Sequence, residues 1–179
     1  LGIGDSTLDV LRRHPGAFRV VALLAHSNVE RLAEQAQEFR PDYIAIADAR
    51  LAGTLRERLQ QRGVTSRLLE GPQAASQLAV LPEVDCVVAA IVGAAGLPST
   101  LAAARAGKRL LIANKEPLVM AGPLVLAAAR ASGAHIIPLD SEHNAIFQCL
   151  PPAGTLGEAP AGVRRILLTA SGGPFLRAT

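Results

Sequence analysis

Asp140 and Glu142 are two carboxylates separated by a single hydroxyl residue, Ser141. In an extended segment, residues two apart can point the same way, whereas on a helix they would diverge, so an extended segment would let both carboxylates bind one hard divalent cation. Oxygen donors favour Mg²⁺ or Mn²⁺ over zinc, for which clusters of Cys and His are typical. The alternative is that Asp140 or Ser141 caps a following helix while Glu142 stabilises its dipole, and the spacing leaves both open. His143 is the next candidate ligand.

A second candidate is Lys115, in a chain that uses arginine for nearly all of its cations. Only two of the 18 basic residues are lysines, Lys108 and Lys115. Lys115 stands between an amide, Asn114, and a carboxylate, Glu116, where a compact ammonium suits a hydroxyl or carbonyl oxygen of a substrate. The alternative is that Glu116 favours a helix N-terminus with Pro117 in its first turn, while Lys115 faces solvent.

Three further clusters of polar or glycine residues follow predicted strands, at 26–28, 93–96 and 171–173. Ser171 and the backbone amides beside it could form a nest for a phosphate group. In open parallel sheets, ligands bind outside the carboxyl ends of the strands, so all these clusters outline one site. Taken singly, each cluster could equally be an ordinary loop or a helix cap.

Two features point to a dinucleotide cofactor. Gly2 and Gly4 flank Ile3 just before a predicted helix, where glycine lets the backbone approach a pyrophosphate. After the next strand, an enzyme that uses NAD carries an acidic residue for the ribose 2′-hydroxyl, whereas this chain has His26, Ser27 and Asn28. The absence of that acid favours NADP.

The elements that must position these clusters alternate along the chain, as in a parallel sheet with crossover helices. Residues 1–139 are predicted to form an α/β domain with a Rossmann-like, doubly wound parallel sheet, and residues 140–179 the start of an α+β catalytic domain. The predicted helices are residues 6–13, 29–39, 99–105, 118–131 and 144–150. The predicted strands are residues 18–25, 43–47, 67–69, 85–92, 109–113, 135–139 and 165–169.

Composition excludes several classes of protein. Half of the residues are hydrophobic and 3% are aromatic, so the core must be built from Ala, Leu, Val and Ile. The net charge of +3 is scattered singly, which argues against a nucleic-acid partner. No apolar run reaches the roughly 20 residues of a membrane span, and we expect a cytoplasmic protein. Cys86 and Cys149 are predicted to be buried thiols in a reducing compartment.

Five segments together resemble the 1-deoxy-D-xylulose 5-phosphate reductoisomerase family, in their order and spacing. They are Ser-Thr-Leu-Asp-Val at 6–10, Ala-Ile-Val-Gly-Ala-Ala-Gly-Leu at 90–97, Ala-Asn-Lys-Glu at 113–116, Asp-Ser-Glu-His-Asn-Ala-Ile-Phe-Gln at 140–148 and Leu-Thr-Ala-Ser-Gly-Gly-Pro-Phe at 168–175. The resemblance implies a homodimer that uses NADPH and Mg²⁺, Mn²⁺ or Co²⁺. It also implies conversion of 1-deoxy-D-xylulose 5-phosphate to 2-C-methyl-D-erythritol 4-phosphate in the non-mevalonate isoprenoid pathway, and inhibition by fosmidomycin.

The resemblance also assigns roles to individual residues. Asp140 and Glu142 would bind the metal, which would chelate the substrate during a rearrangement that precedes hydride transfer. Lys115 would neutralise developing charge and, with Glu142, form the catalytic pair. The residues implied to touch the substrate are Lys115, Ser141, Glu142 and Ser171. The residues implied to line the NADPH site are Gly2, Ile3, His26, Ser27, Asn28, Asn114 and Glu116.

The chain departs from the family pattern at three places. The family opens with a strand and Gly-Ser-Thr-Gly-Ser-Ile-Gly, whereas here Gly2 leads directly to Ile3. Other members often have Gly and Lys at 26 and 27, and Pro117 replaces a usual Ser. We therefore expect a fragment that lacks part of the glycine-rich loop and the family's C-terminal part with its third metal carboxylate, and that is inactive alone.

Two other functions fit part of this pattern. Another NADP-linked dehydrogenase with two domains, of the homoserine or semialdehyde type, would share the alternation but would not need a metal pair at Asp140 and Glu142. A non-catalytic module that senses nucleotides would bind NADPH but leave Lys115 without a role. A requirement for metal would distinguish a reductoisomerase from the dehydrogenase. Substitution of Glu142 by Gln should change nothing in a sensing module.

Overall fold

The computed structural model describes residues 2–151 and 160–168, and its strands in this part of the chain are short and parallel. They form two three-stranded sheets, ordered β1-β2-β3 and β4-β5-β6. The carboxyl ends of the three strands in each sheet therefore lie along one edge. In chain order the strands are β1 (Ala22–Ala25), β2 (Tyr43–Ile46), β3 (Arg67–Glu70), β4 (Cys86–Ala89), β5 (Arg109–Ile112) and β6 (His135–Pro138).

Helices alternate with the strands, which confirms the predicted α/β class. Within the described ranges, β1 pairs only with β2 and β4 only with β5, so the doubly wound sheet is present as two halves. Two 3-10 turns, Ala49–Leu51 and Ala94–Gly96, follow β2 and β4. The α-helices are α1 (Ile3–Arg13), α2 (Val29–Phe39), α3 (Ala52–Gln61), α4 (Ala74–Ala79), α5 (Leu97–Arg105), α6 (Glu116–Ser132) and α7 (Ser141–Cys149).

Helix α2 has the bounds predicted from the sequence because its local signals agree. The Asn28 side chain accepts a hydrogen bond of 3.1 Å from the backbone N–H of Arg31 and so caps the first turn. The buried side of the helix carries Leu32 and Ala36, which pack in one core with Ile44 of β2. Burial of a leucine contributes about 1.5–3 kcal/mol, so this face holds the helix on the first sheet.

The second core is built from small side chains, which lets α5 and α6 approach closely. Ala103 of α5, Ala129 of α6 and Leu110 of β5 are buried together in it. At the end of this contact the Ser132 hydroxyl donates a hydrogen bond to the carbonyl oxygen of Ala104. A Cβ on Gly107, which has a φ of +70°, would lie 3.0 Å from the Ser132 carbonyl oxygen. The junction between α5 and β5 therefore requires glycine.

Helix α6 is broken near its N-terminus, inside the helix predicted for 118–131. Ala121 has φ −145° and ψ 31°, which is not helical, and Pro123 follows two residues later. Proline lacks an N–H and its ring clashes with the preceding turn, so a bend here is expected. Gly133 ends the helix in the left-handed conformation, with φ 76°. The break separates a first turn, which begins at Glu116, from a longer packed segment.

The last predicted strand and the predicted burial of the cysteines are wrong. Residues 165–168 do not form the predicted strand, since no neighbouring strand pairs with them in the described part of the chain, and Leu167 is 81% exposed. Position 169 lies outside the described residues. Cys86 and Cys149 are exposed rather than buried. Cys86 opens an edge strand that pairs on one side, and Cys149 lies in the last turn of a helix with no buried residue.

No helix in the described ranges combines the length and the apolar character that crossing a membrane requires. This finding concerns residues 2–151 and 160–168.

Strand β1 also begins later than predicted, at Ala22 rather than at position 18, because Phe18 is exposed. The chain between α1 and β1 therefore reaches the sheet as an irregular segment.

Candidate active site

The segments that follow β4, β5 and β6 converge on one cavity of about 250 Å³. This convergence follows from the topology, because parallel neighbours bring their carboxyl ends to the same edge of a sheet. The N-terminal end of α1 closes the cavity from a fourth side. The residues that line it are Ile3, Ala90, Val92, Ala113, Asn114, Lys115, Glu116 and Asp140. Five of the residues predicted from sequence to form the site are in this set.

Asn114 is buried at the centre of this edge, with 7% of its surface exposed. Its amide nitrogen donates hydrogen bonds to the carbonyl oxygens of Ile91 and of Gly93, the latter at 3.2 Å. Its amide oxygen accepts a bond of 3.4 Å from the backbone N–H of Glu116. Asn114 therefore connects the loop after β4 to the start of α6.

Lys115 immediately precedes α6 and is exposed at the cavity. Its positive charge lowers the pKa values of two predicted metal ligands, Asp140 and Glu142. Lys115 and Asp140 line the same cavity, so the ammonium and this carboxylate can act on one bound group. Glu116 lies in the first turn of α6, where a carboxylate favours the helix dipole, as the alternative interpretation of this segment required.

Asp140 occupies the cap position before α7, with φ −64° and ψ 145°. Its side chain makes no capping bond and instead accepts a hydrogen bond from His143 Nδ1. Burial raises the pKa of Asp140, but the hydrogen bond from His143 and the nearby positive charges outweigh it, so the pKa is lowered. The backbone N–H of Glu142 and the Ser141 hydroxyl, at 2.9 Å, lower the pKa of the Glu142 carboxyl. Both carboxylates are thus ionised near neutral pH.

The expected extended conformation of this segment is wrong, because α7 begins at Ser141 and not at Asn144. Asn144 Nδ2 donates a bond of 2.7 Å to the carbonyl oxygen of Pro138, which holds the start of the helix against the end of β6. Asp140 lines the cavity, whereas Glu142 does not. In the described residues no three His, Cys, Asp or Glu side chains cluster as a metal site would require. The donors present here are ionised oxygens, which suit a hard divalent cation.

The turn at 26–28 follows β1, on the other three-stranded sheet. His26 and Ser27 are exposed, and Asn28 caps α2 as the alternative interpretation proposed. The backbone N–H of Asp48 donates a bond of 2.9 Å to the His26 carbonyl oxygen, so the loop after β2 lies beside this turn. Sequence reasoning missed Asp48 and its partner Arg50 as neighbours of the predicted cofactor turn. Their position directly after the second predicted strand could have indicated this, because the ends of neighbouring parallel strands lie side by side.

The remaining predicted residues lie at the two ends of the chain. Gly2 precedes α1 with extended backbone angles, and its carbonyl oxygen accepts a hydrogen bond of 3.0 Å from the backbone N–H of Ser6. Ile3 lies in the cavity wall. Ser171 lies outside the described residues. The prediction that Gly2 and Ile3 approach a pyrophosphate stays a prediction.

A second cavity, of about 400 Å³, lies against α5 and α6 and is larger than the first. It is lined by Arg105, Ser132 and the apolar residues Leu124, Ala127, Ala128 and Ala131. This groove contains neither carboxylates nor a lysine. The smaller cavity is therefore the candidate active site, because Lys115, Glu116 and Asp140 meet there with the loop that follows β4.

Two family models match the sequence. A model described as 1-deoxy-D-xylulose 5-phosphate reductoisomerase matches residues 2–122, and a model of the C-terminal domain of the same enzyme matches residues 136–179. The chain belongs to the 1-deoxy-D-xylulose 5-phosphate reductoisomerase family. Membership in this family removes the alternative of a homoserine or semialdehyde dehydrogenase.

Curated reductoisomerases are similar along almost the whole chain. The chain is 62% identical to the enzyme of Methylococcus capsulatus over 175 residues, which cover 97% of this chain and 44% of that protein. It is 58% identical to the enzyme of Dechloromonas aromatica, with 97% and 44% covered. The chain therefore spans less than half the length of these relatives.

Solved reductoisomerase structures share the fold. The structure from Zymomonas mobilis in complex with NADPH aligns with a TM-score of 0.87 at 42% identity and covers 99% of this chain and 45% of that one. A structure of DOX-P reductoisomerase in complex with NADPH, fosmidomycin and magnesium aligns with a TM-score of 0.81 at 51% identity. That alignment covers 84% of this chain and 36% of the other.

Proposed function

We propose that the whole protein is a reductoisomerase that converts 1-deoxy-D-xylulose 5-phosphate to 2-C-methyl-D-erythritol 4-phosphate, with NADPH and a divalent cation, in the non-mevalonate isoprenoid pathway. The observation that carries this proposal is the meeting of Lys115 and Asp140 at one cavity on the strand ends, in a chain of this family. Related structures that contain NADPH, magnesium and fosmidomycin support the same cofactors and inhibitor.

Asp140 and Glu142 would hold the cation, as the family resemblance implies, since Asp140 lines the cavity and Glu142 is the next carboxylate along the chain. When bound, the cation polarises the substrate carbonyl and NADPH supplies the hydride. Lys115 would place its ammonium against a substrate oxygen and neutralise the negative charge that develops there. Ser141 donates its hydroxyl hydrogen to Glu142 and would orient that carboxylate beside the substrate.

The other predicted roles extend this proposal. We propose that Ser171 contacts the substrate, that the NADPH site follows the strand ends, and that residues 140–179 begin the catalytic domain. The homodimer and the cytoplasmic location are further proposals, which rest on the family resemblance. The residues proposed to line the NADPH site are Gly2, Ile3, His26, Ser27, Asn28, Asn114 and Glu116.

The decisive experiment follows NADPH oxidation by the full-length protein with 1-deoxy-D-xylulose 5-phosphate, with and without Mn²⁺. We expect turnover that requires the metal and is lost in Asp140→Asn, which retains the shape of the side chain but not its charge. Asp85→Asn is the matched control, because Asp85 precedes β4 at the opposite edge of the sheet. Absence of turnover in the parent protein with metal present would reject the proposed reaction.

A second variant distinguishes an enzyme from a module that only senses nucleotides. Glu142→Gln should abolish turnover if Glu142 acts at the reaction centre, whereas a sensing module would bind NADPH unchanged and show no turnover in any variant. Glu57→Gln, on the exposed surface of α3, is the control for loss of a glutamate charge. NADPH binding is measured by fluorescence titration in each case.

A further inference from the structure

The loop between β4 and α5 is held by Asn114, which follows the neighbouring strand β5. The carbonyl oxygens of Ile91 and Gly93 both point to the Asn114 amide nitrogen. Val92 stands between these two fixed carbonyls, is 82% exposed and lines the cavity. The Asn114 bonds therefore turn an apolar side chain outwards at the place where the polar residues of the site meet.

The loop's glycines make this conformation specific. Gly93 has φ 74° and ψ −161°, a region that essentially only glycine adopts. A Cβ on Gly96 would lie 2.6 Å from the Ile91 carbonyl oxygen and 3.1 Å from Asn114 Nδ2. The Thr100 hydroxyl donates a bond of 2.8 Å to the Gly96 carbonyl oxygen from inside α5. The loop backbone is therefore held on one side by Asn114 and on the other by Thr100 of α5.

The hydrogen-bonding capacity of Asn114 is largely used inside the protein. A side-chain amide has two N–H donors, and here they meet the Ile91 and Gly93 carbonyl oxygens. The amide oxygen already accepts from the Glu116 N–H. A ligand acceptor would have to displace one of the two loop carbonyls to receive a hydrogen from this side chain. A contact with the cofactor would therefore come in addition to the bonds that Asn114 makes to the loop and to the start of α6.

We propose that Asn114 is a positioning residue, which fixes the loop of residues 91–96 so that Val92 offers an apolar wall to the bound dinucleotide. This inference rests on the proposed NADPH site. It adds an action of Asn114 through the loop to the place that this residue has in the lining of the cavity. The amide oxygen of the same side chain accepts a bond from the Glu116 N–H at the start of α6, so Asn114 contacts both the loop and the helix that follows Lys115.

A double-mutant cycle on the full-length protein tests this proposal with NADPH as the probe. Asn114→Ala removes the anchor, and Gly93→Ala strains the loop backbone through its φ of +74°, since the new Cβ itself would meet no other atom. Each single variant should raise the Kd for NADPH about tenfold, because two hydrogen bonds of ordinary strength are lost or misplaced. If both act through the loop, the double variant should be no more than about twofold weaker than either single variant.

Additive effects, with the double variant weaker by about a hundredfold, would overturn the proposal, because Asn114 and the loop would then act on NADPH independently. An unchanged Kd in Asn114→Ala would overturn it as well. Asn114→Ser retains one donor and should fall between parent and Asn114→Ala, so the test holds even if the alanine variant folds poorly. Gly63→Ala strains a glycine of φ +62° away from the cavity and should leave the Kd unchanged.

The outcome separates this inference from the proposed function. If the parent protein fails to bind NADPH, the cofactor assignment fails. If the parent binds NADPH and turns over while the cycle is additive, only the positioning role of Asn114 fails. Hydrogen exchange of the Gly96 amide gives an independent measurement, since this N–H donates to the Gly93 carbonyl oxygen at 3.3 Å. Its protection should fall in Asn114→Ala and remain in Gly63→Ala.

Discussion

Arg50 holds Asp48 through two side-chain hydrogen bonds, from Nε at 2.9 Å and from Nη2 at 2.7 Å, to different carboxylate oxygens. The backbone N–H of Arg50 adds a third bond of 3.1 Å. The pair lies directly after β2, and the Asp48 N–H is bonded to the His26 carbonyl oxygen. A charged pair thus fixes the loop that supports the predicted cofactor turn.

The first prediction concerns the acidity of this pair. The hydrogen bonds from Arg50 lower the pKa of Asp48 to about 2. Because the pKa is depressed in the folded state, the stabilisation is present above the unfolded pKa of about 3.9 and is lost as the pH falls from about 4 towards 2. Arg50→Gln should move the Asp48 midpoint up towards about 3.9 in an NMR titration of the carboxyl carbon.

Arg58→Gln is the control for this titration, since Arg58 pairs with Glu30 elsewhere. It should leave the Asp48 midpoint where it is. An Asp48 midpoint near the ordinary value in the parent protein would contradict the arrangement described here. So would an unchanged midpoint in Arg50→Gln.

The two lysines give the second prediction, because they occupy opposite ends of β5. Lys115 follows the strand at the cavity, whereas Lys108 precedes it and donates a bond of 2.7 Å to the Leu81 carbonyl oxygen. Lys115→Gln should lower kcat/KM about ten- to hundredfold, the worth of a hydrogen bond to a charged group. Lys108→Gln should lower the unfolding midpoint in urea and leave kcat/KM unchanged. Equal kinetic effects in the two variants would remove Lys115 from the reaction.

The third prediction contrasts two glycines. Gly107→Ala should destabilise the protein by about 1–3 kcal/mol, because φ is +70° and the new Cβ would press on the Ser132 carbonyl oxygen. Gly53→Ala should stabilise it by about 0.4–1 kcal/mol, since Gly53 lies in α3 with open space around its Cα. Equilibrium unfolding in urea measures both. The same sign of change in the two variants would disagree with this account.

Local signals explain which parts of the fold could be predicted. The bounds of α2 follow from Asn28, the helical spacing of its apolar residues and Pro41, all within one stretch of chain. The alternation of strands and helices was likewise readable, because apolar runs and helical patterns follow each other. The meeting of Asn114, Lys115 and Asp140 then followed from parallel topology alone.

Contacts between distant segments explain what could not be predicted. Nothing near Asn114 in the sequence indicates that its amide binds the carbonyls of Ile91 and Gly93. The exposure of Cys86 depends on which strands flank β4, and an apolar run does not encode that. The early start of α7 likewise depends on Asn144 reaching back to Pro138. Sequence patterns report a residue's own conformation better than its partners.

The break in α6 at Ala121 separates the start of the helix, next to Lys115, from the longer segment that ends at Ser132. The long segment after it is committed to packing against α5 and to the crowded junction at Gly107. The short segment before it carries Glu116, next to Lys115 and anchored by Asn114. In an unbroken helix, a shift of the C-terminal segment would move Lys115 as well. Because Ala121 interrupts the helix between them, we expect substitutions at exposed positions of the longer segment to change stability with little effect at Lys115.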